Sequence, residues 1–172
     1  MLPAQSSNAD PRTYWDNLFR NGQVSFNKDA SKLLQYAIID RKPGSAIDLG
    51  MGEGRNAVFL ASKGWRVTGV DFSAEAVKQA KLRAEAAHVL IDAVIALFYM
   101  HGWFHASKHD VPRILVDGLK PGGLLVIEGY AGDRRFDSLK IIHYEDVRDE
   151  ADWAPGAKSQ VVRFIAEKDG ER

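Results

Sequence analysis

A chain of 172 residues is the size of one domain and can bury a real core. Its 23 Lys and Arg balance its 23 Asp and Glu, so no basic excess argues for nucleic acid and no basic amphipathic helix for a membrane surface. With no cysteine there is no disulfide framework, thiolate metal site or cysteine nucleophile, and the longest apolar run, near 93–98, is too short to span a bilayer.

Residues 1–11 are polar and lack the charged and apolar segments of a signal peptide, so the cytoplasm is the default compartment. The alternative is an exported protein whose signal has been removed. Apolar residues at 14, 15, 18 and 19 predict a helix over 11–21, ended by Gly22. Leu33, Leu34, Ala37 and Ile38 predict a second over 31–39, with Asp29 as its cap, and Pro43-Gly44 breaks the chain after it. Strand Ser45–Leu49, a helix over 55–63, strand Arg66–Asp71 and a helix over 74–87 follow. Strand alternating with helix predicts a parallel sheet with helices on both faces. Beyond an apolar strand over 91–98, a helix spans 109–118, and Leu119-Lys120-Pro121-Gly122-Gly123 turns into strand Leu124–Tyr130. Segments 139–147 and 160–167 read as a terminal antiparallel pair joined through 152–156.

The first strand and its turn read Ala46-Ile47-Asp48-Leu49-Gly50-Met51-Gly52-Glu53-Gly54-Arg55-Asn56, and the second strand ends at Asp71, 21 positions after Gly50. Gly50, Gly52 and Gly54 permit a sharp turn and close approach of backbone to a ligand. A carboxylate ending the second strand stands where ribose hydroxyls bind. The glycine spacing decides which nucleotide. A dinucleotide fingerprint places a third glycine where Arg55 stands, and no Gly-Lys-Ser/Thr follows to make a P-loop.

Asp-Leu-Gly-x-Gly-x-Gly-Arg-Asn followed by Gly-Val-Asp-Phe-Ser resembles class I S-adenosylmethionine-dependent methyltransferases. More narrowly, it is similar to their small-molecule branch of tellurite-resistance and thiopurine-type enzymes. The Leu-Lys-Pro-Gly-Gly-x-Leu run at 119–125 is also typical of the family. The resemblance implies a Rossmann-like, doubly wound, mostly parallel sheet with a C-terminal antiparallel strand. It also implies an N-terminal helical extension (1–44) covering the cosubstrate and a methyltransferase domain (45–172). The cosubstrate would be S-adenosylmethionine and the product S-adenosylhomocysteine. Segment 91–98 resembles the family's fourth strand, so about twenty residues expected between Ala87 and Leu90, holding a third strand and an acidic loop, are absent. A lid segment near 133–137 is short as well. Either ligand-side loops are missing from this sequence, with chain breaks after His88 and near Arg135, or the chain is trimmed and non-catalytic. The first reading is preferred, because a sheet lacking its third strand exposes unpaired edges.

The family likeness assigns cosubstrate binding to Asp48, Gly50, Gly52, Gly54, Asp71 and Phe72, the last either over the adenine or in packing, while Tyr14 and Trp15 either close the site from the N-terminal helix or pack its apolar stripe on the sheet edge. Asp48 either fixes the glycine loop or reaches the methionine ammonium through water. Arg55 pairs with the methionine carboxylate or only with a surface partner. His101 follows the fourth strand at its ligand-binding end and is either the general base or acceptor-orienting group, since imidazole titrates near neutrality, or a hydrogen-bonded structural histidine. Trp103, Glu128 and Tyr130 are expected to line the acceptor pocket. His101 and His105 lack a third ligand, so no metal is expected. The partner expected is a small-molecule acceptor (a thiol, a chalcogen oxyanion or a small metabolite), with no nucleic acid and no membrane. The protein would be a monomer or homodimer.

Overall fold

The computed structural model describes residues 10–23, 26–95, 111–130, 136, 138–152 and 154–170. They fall into two compact units, one of residues 10–30 and 40–95, the other of residues 31–39 and 111–170.

The first unit begins with helix α1 (Pro11–Arg20), capped by the Asp10 carboxylate, which accepts from the amides of Arg12 and Thr13. Then come β1 (Ser45–Leu49), α3 (Arg55–Ser62), β2 (Arg66–Asp71), α4 (Ala74–Ala86) and β3 (Asp92–Ile95). The three strands are parallel in the order β1-β2-β3, with Asp48 beside Gly69 and Asp71 beside Ile95. Helices α3 and α4 pack on β2 and on each other. They cover the face that carries Val67, Gly69 and Asp71, all buried. Gly69 leaves the space that Met51 fills, since a Cβ there would lie 2.1 Å from the Met51 sulfur. The other face carries Ile47, 69% exposed, and Leu49, 39% exposed. The expectation of helices on both faces therefore holds for one face among the described residues of this unit.

The strand read as the family's fourth pairs with β2, not with β1. It takes the place left for the missing third strand. The amides of Ala87, His88 and Val89 bond back to Arg83, Glu85 and Ala84, with His88 at φ 54°. The connection from α4 to β3 is so short that it reaches only the β2 edge on which α4 already lies.

The second unit comprises α2 (Lys32–Ile38), α5 (Val111–Gly118), β4 (Leu124–Tyr130), β5 (Lys140–Ala151) and β6 (Ala154–Glu167). Its strands are antiparallel in the order β4-β6-β5. The expected terminal pair is present but longer than its apolar pattern, and β6 begins three residues after β5 ends. Pro155 stands near the start of β6, where a missing amide donor is tolerated. Phe136, Leu139, Phe164 and Ala166 form the core, with Val116, Leu119, Leu125 and Ile127 against it. The Lys168 ammonium donates to the carbonyls of Val116 and Leu119 at 2.9 and 2.8 Å, closing the end of α5.

Ser31, not Asp29, is the residue before α2. The first helical amide, Lys32, donates to the Asp152 carboxylate at 2.8 Å, so the cap comes from a residue distant in sequence. Among the described residues no helix is long and apolar enough to cross a membrane, and no three His, Cys, Asp or Glu side chains gather as for a metal ion.

Candidate functional site

The first unit builds its site where β1 and β2 end. The amides of Gly50 and Met51 both donate to the Val70 carbonyl, at 2.7 and 3.1 Å, which ties the start of the loop to β2. Gly50, Gly52 and Gly54 have φ of 74°, 54° and 78°, a region that side-chain-bearing residues rarely adopt. The glycines are not equivalent. A Cβ at Gly50 meets nothing within 4 Å, whereas one at Gly54 would sit 2.9 Å from the Ala80 Cβ on α4. Gly54 thus serves helix packing as well as the turn.

Gly54 is also the residue before α3 and has no side chain with which to cap it. Asp48 supplies the missing acceptor, taking the Ala57 amide of the first turn. Its other carboxylate oxygen, Oδ2, is buried with no hydrogen-bond partner. Burial pushes Asp48 up to about 6, against the opposing pull of the Ala57 amide and the Arg55 guanidinium, while nearby Asp71 adds to the rise.

Asp71 is 7% exposed. Its Oδ2 accepts from the Gly52 amide and its Oδ1 from the Ser73 amide, both at 2.9 Å. Burial raises its pKa; the amides of Ser73, Gly52 and Phe72 oppose that, and Asp16 reinforces it. With the Gly52, Ser73 and Phe72 amides on it, the carboxylate keeps about one acceptor position open, since an ionised carboxylate offers about four. Phe72 is half-buried beside it.

Helix α1 lies over α4 with Leu18 and Phe19 buried against Ala76, and Tyr14, Trp15 and Phe26 packed on that cluster. The rings of Trp15 and Phe26 stack at 6.2 Å. The Trp15 Nε1–H is buried without a partner. Phe19 approaches the glycine loop, its ring 3.7 Å from where a Gly52 Cβ would stand. The structure therefore gathers Asp48, Gly50, Gly52, Gly54, Asp71 and Phe72 around one loop. It places Tyr14 and Trp15 in the aromatic cluster on α1.

His101 and Trp103 lie outside the described residues, and so does the side chain of Tyr130. Glu128 belongs to the second unit. Its Oε1 accepts from Arg163 Nε at 3.1 Å and from the Asp152 amide at 3.3 Å, and Ser31 donates to its Oε2 at 3.4 Å. Burial raises the Glu128 pKa, opposed by the Asp152 amide and the Arg163 guanidinium and reinforced by the Asp152 carboxylate. Arg163 also meets Glu145 and Asp149, at 3.2 and 3.1 Å.

Sequence reasoning missed Asp16 and Ser73. Ser73 is fully buried and caps α4 by accepting the Ala76 amide at 3.2 Å. Asp16 accepts from the Ser73 hydroxyl and, at 3.2 Å, from the Glu75 amide. Ser73 was legible as a serine directly preceding a helix; Asp16 carried no local signal.

Residues 46–112 match the family described as "Methyltransferase domain". The chain is 58% identical over 132 residues to the ribosomal RNA small subunit methyltransferase C of Alcanivorax borkumensis, a match covering 64% of this chain and 40% of that protein. It thus spans about two fifths of the length of that curated relative. The structure resembles TehB from Haemophilus influenzae, with a TM-score of 0.68 and 14% identity over 89% of this chain and 66% of that one. It also resembles the 1,6-didemethyltoxoflavin-N1-methyltransferase of Burkholderia thailandensis, solved with 1,6-didemethyltoxoflavin and S-adenosylhomocysteine. That TM-score is 0.65 at 15% identity, covering 97% and 94% of the two chains. At such identities the likeness is one of fold. The fold shared with these structures is a Rossmann-like one, and the family match falls on the segment that carries β1, the glycine loop and Asp71.

Proposed function

We propose that this protein binds S-adenosylmethionine at the glycine loop and transfers its methyl group to a small-molecule acceptor. The observation that carries the reading is Asp48 Oδ2, a buried carboxylate oxygen without a partner beside a loop of three positive-φ glycines. A buried polar atom left unpaired is costly unless a ligand supplies the donor, and the methionine ammonium is such a donor. Asp71 would take a ribose hydroxyl on its open acceptor position while still holding the Gly52, Ser73 and Phe72 amides. Phe72, Tyr14 and Trp15 would shield the nucleoside from water.

The cosubstrate supplies an electrophilic methyl group on a sulfonium. The sulfur–methyl bond breaks as the acceptor–methyl bond forms in line, and S-adenosylhomocysteine leaves. Little charge has to be created, so the protein's work is proximity and orientation, with a base for an acceptor that must lose a proton. His101 is proposed as that base, and Trp103, Glu128 and Tyr130 as acceptor-side residues. Glu128 comes to that role with its Oε1 already bonded to Arg163 and Asp152.

The charge balance of the chain favours a small acceptor. A ribosomal RNA acceptor is the second reading, favoured by the 58% identity to the Alcanivorax protein over the matched part. Measuring S-adenosylhomocysteine release with a panel of thiols, chalcogen oxyanions, small metabolites and small-subunit ribosomal RNA separates the two. Turnover with one of the small molecules is expected. Release with the RNA alone would replace the small-molecule reading, and binding without release on any acceptor would leave a non-catalytic cosubstrate binder.

A further inference from the structure

The geometry points to Asp16 as a positioning residue that holds the aromatic face of α1 against the cosubstrate site through Ser73. The observation is a relay of hydrogen bonds. The Gly52 amide donates to Asp71 Oδ2, and the Ser73 amide to Asp71 Oδ1. From the same Ser73, the hydroxyl donates to Asp16 Oδ1, joined there by the Glu75 amide at 3.2 Å. A single serine, fully buried, therefore bridges the carboxylate under the glycine loop to a carboxylate on α1.

Sequence distance makes the arrangement informative. Asp16 stands 57 residues before Ser73, so no local propensity brings them together. The Asp16 carboxylate also faces the amide-rich start of α4, where negative charge is favoured. A second tie lies along the same helix, where the Gln79 side-chain amide donates to the Phe19 carbonyl at 3.1 Å. Trp15 and Phe19 flank Asp16 at one residue before and three after, so fixing Asp16 fixes both rings. Asp16 itself touches no ligand position; it acts by placing α1.

The proposal rests on reading the glycine loop as the cosubstrate site, and its test separates the two. Wild type, Asp16→Ala and Asp16→Asn are titrated with S-adenosylhomocysteine, and hydrogen exchange is followed by mass spectrometry over residues 11–20. Asparagine keeps an oxygen that accepts both donors, whereas alanine keeps none. Asp16→Ala is expected to weaken binding about tenfold and to lose protection across α1, and Asp16→Asn to stay within about threefold of wild type, in keeping with the loss or retention of one partly buried acceptor. Should Asp16→Ala not fold, Ser73→Gly carries the same expectation, because glycine tolerates the position before a helix but lacks the hydroxyl. Unchanged affinity in Asp16→Ala, even with a lower melting temperature, would reduce Asp16 to a helix cap and overturn the proposal. Equal impairment in Asp16→Asn would overturn the hydrogen-bond assignment. Absence of binding by wild type would instead overturn the cosubstrate reading, and the tie to α1 would then stand or fall on the exchange result alone.

Discussion

At the scale of single residues, one aspartate is asked to do two things. Asp48 closes the first turn of α3 with one oxygen and leaves the other buried and unpaired. Its pKa of about 6, above the ordinary 3.8, means that the folded protein holds this proton more tightly than the unfolded chain. The Asp48 contribution to stability is therefore fully present below pH 3.8 and is lost as the pH rises to about 6, by roughly 3 kcal/mol, taking ~1.4 kcal/mol per unit. Asp71, raised by burial, acts in the same direction. Asp48→Asn should flatten that decline in urea titrations across the window. It should also stabilise the ligand-free protein at pH 7 by removing a desolvated charge, while weakening the cosubstrate. A wild type that gains stability between pH 4 and 6 in step with Asp48 ionisation would contradict this assignment. Binding should follow the opposite course, because an ammonium needs the ionised carboxylate, so affinity should fall as the pH drops below about 6.

At the scale of elements, the glycine loop and α4 were designed around each other by volume as much as by turn geometry. Gly50 and Gly54 both need positive φ, but only Gly54 faces a neighbour, the Ala80 Cβ at 2.9 Å. Alanine at Gly50 should cost about 1–2 kcal/mol for the left-handed backbone alone. At Gly54 the same backbone term is joined by an overpacking term of about 1–3 kcal/mol. Chemical denaturation of the two variants should rank Gly54→Ala well below Gly50→Ala, and equal losses would show that Ala80 yields freely. Much of this level was legible. Glycine spacing, helix starts and the strand–helix alternation of β1 through α4 all follow from local sequence. The partner of segment 91–98 was not, because an apolar strand carries no mark of which edge it joins; the short turn at His88 decides that. Nor did the sequence tell which glycine packs against a helix, since Ala80 lies on another element. The full reach of β5 and β6 also escaped notice, because their far halves are polar and pair across exposed positions.

At the scale of the molecule, the described residues form a parallel unit carrying the glycine loop and an antiparallel unit carrying the Arg163 carboxylate network. The loop geometry of the first unit was readable because closely spaced glycines between a strand and a helix mark a turn with left-handed backbone. Asp16 was not readable, as its role exists only once α1 is laid over α4. Glu128 was expected to line the acceptor pocket, and the structure shows three partners on its carboxylate that no local pattern announces. The central claim is that S-adenosylmethionine binds on the Asp48–Gly54 loop with Asp71 on its ribose. Calorimetric titration of wild type and Asp71→Ala with S-adenosylmethionine and with NAD tests it most directly. The account predicts a single S-adenosylmethionine site, weakened by about 1–3 kcal/mol in Asp71→Ala, as for loss of a buried hydrogen-bond partner, and no heat with NAD. Binding of NAD in place of S-adenosylmethionine, or S-adenosylmethionine affinity indifferent to Asp71, would contradict it.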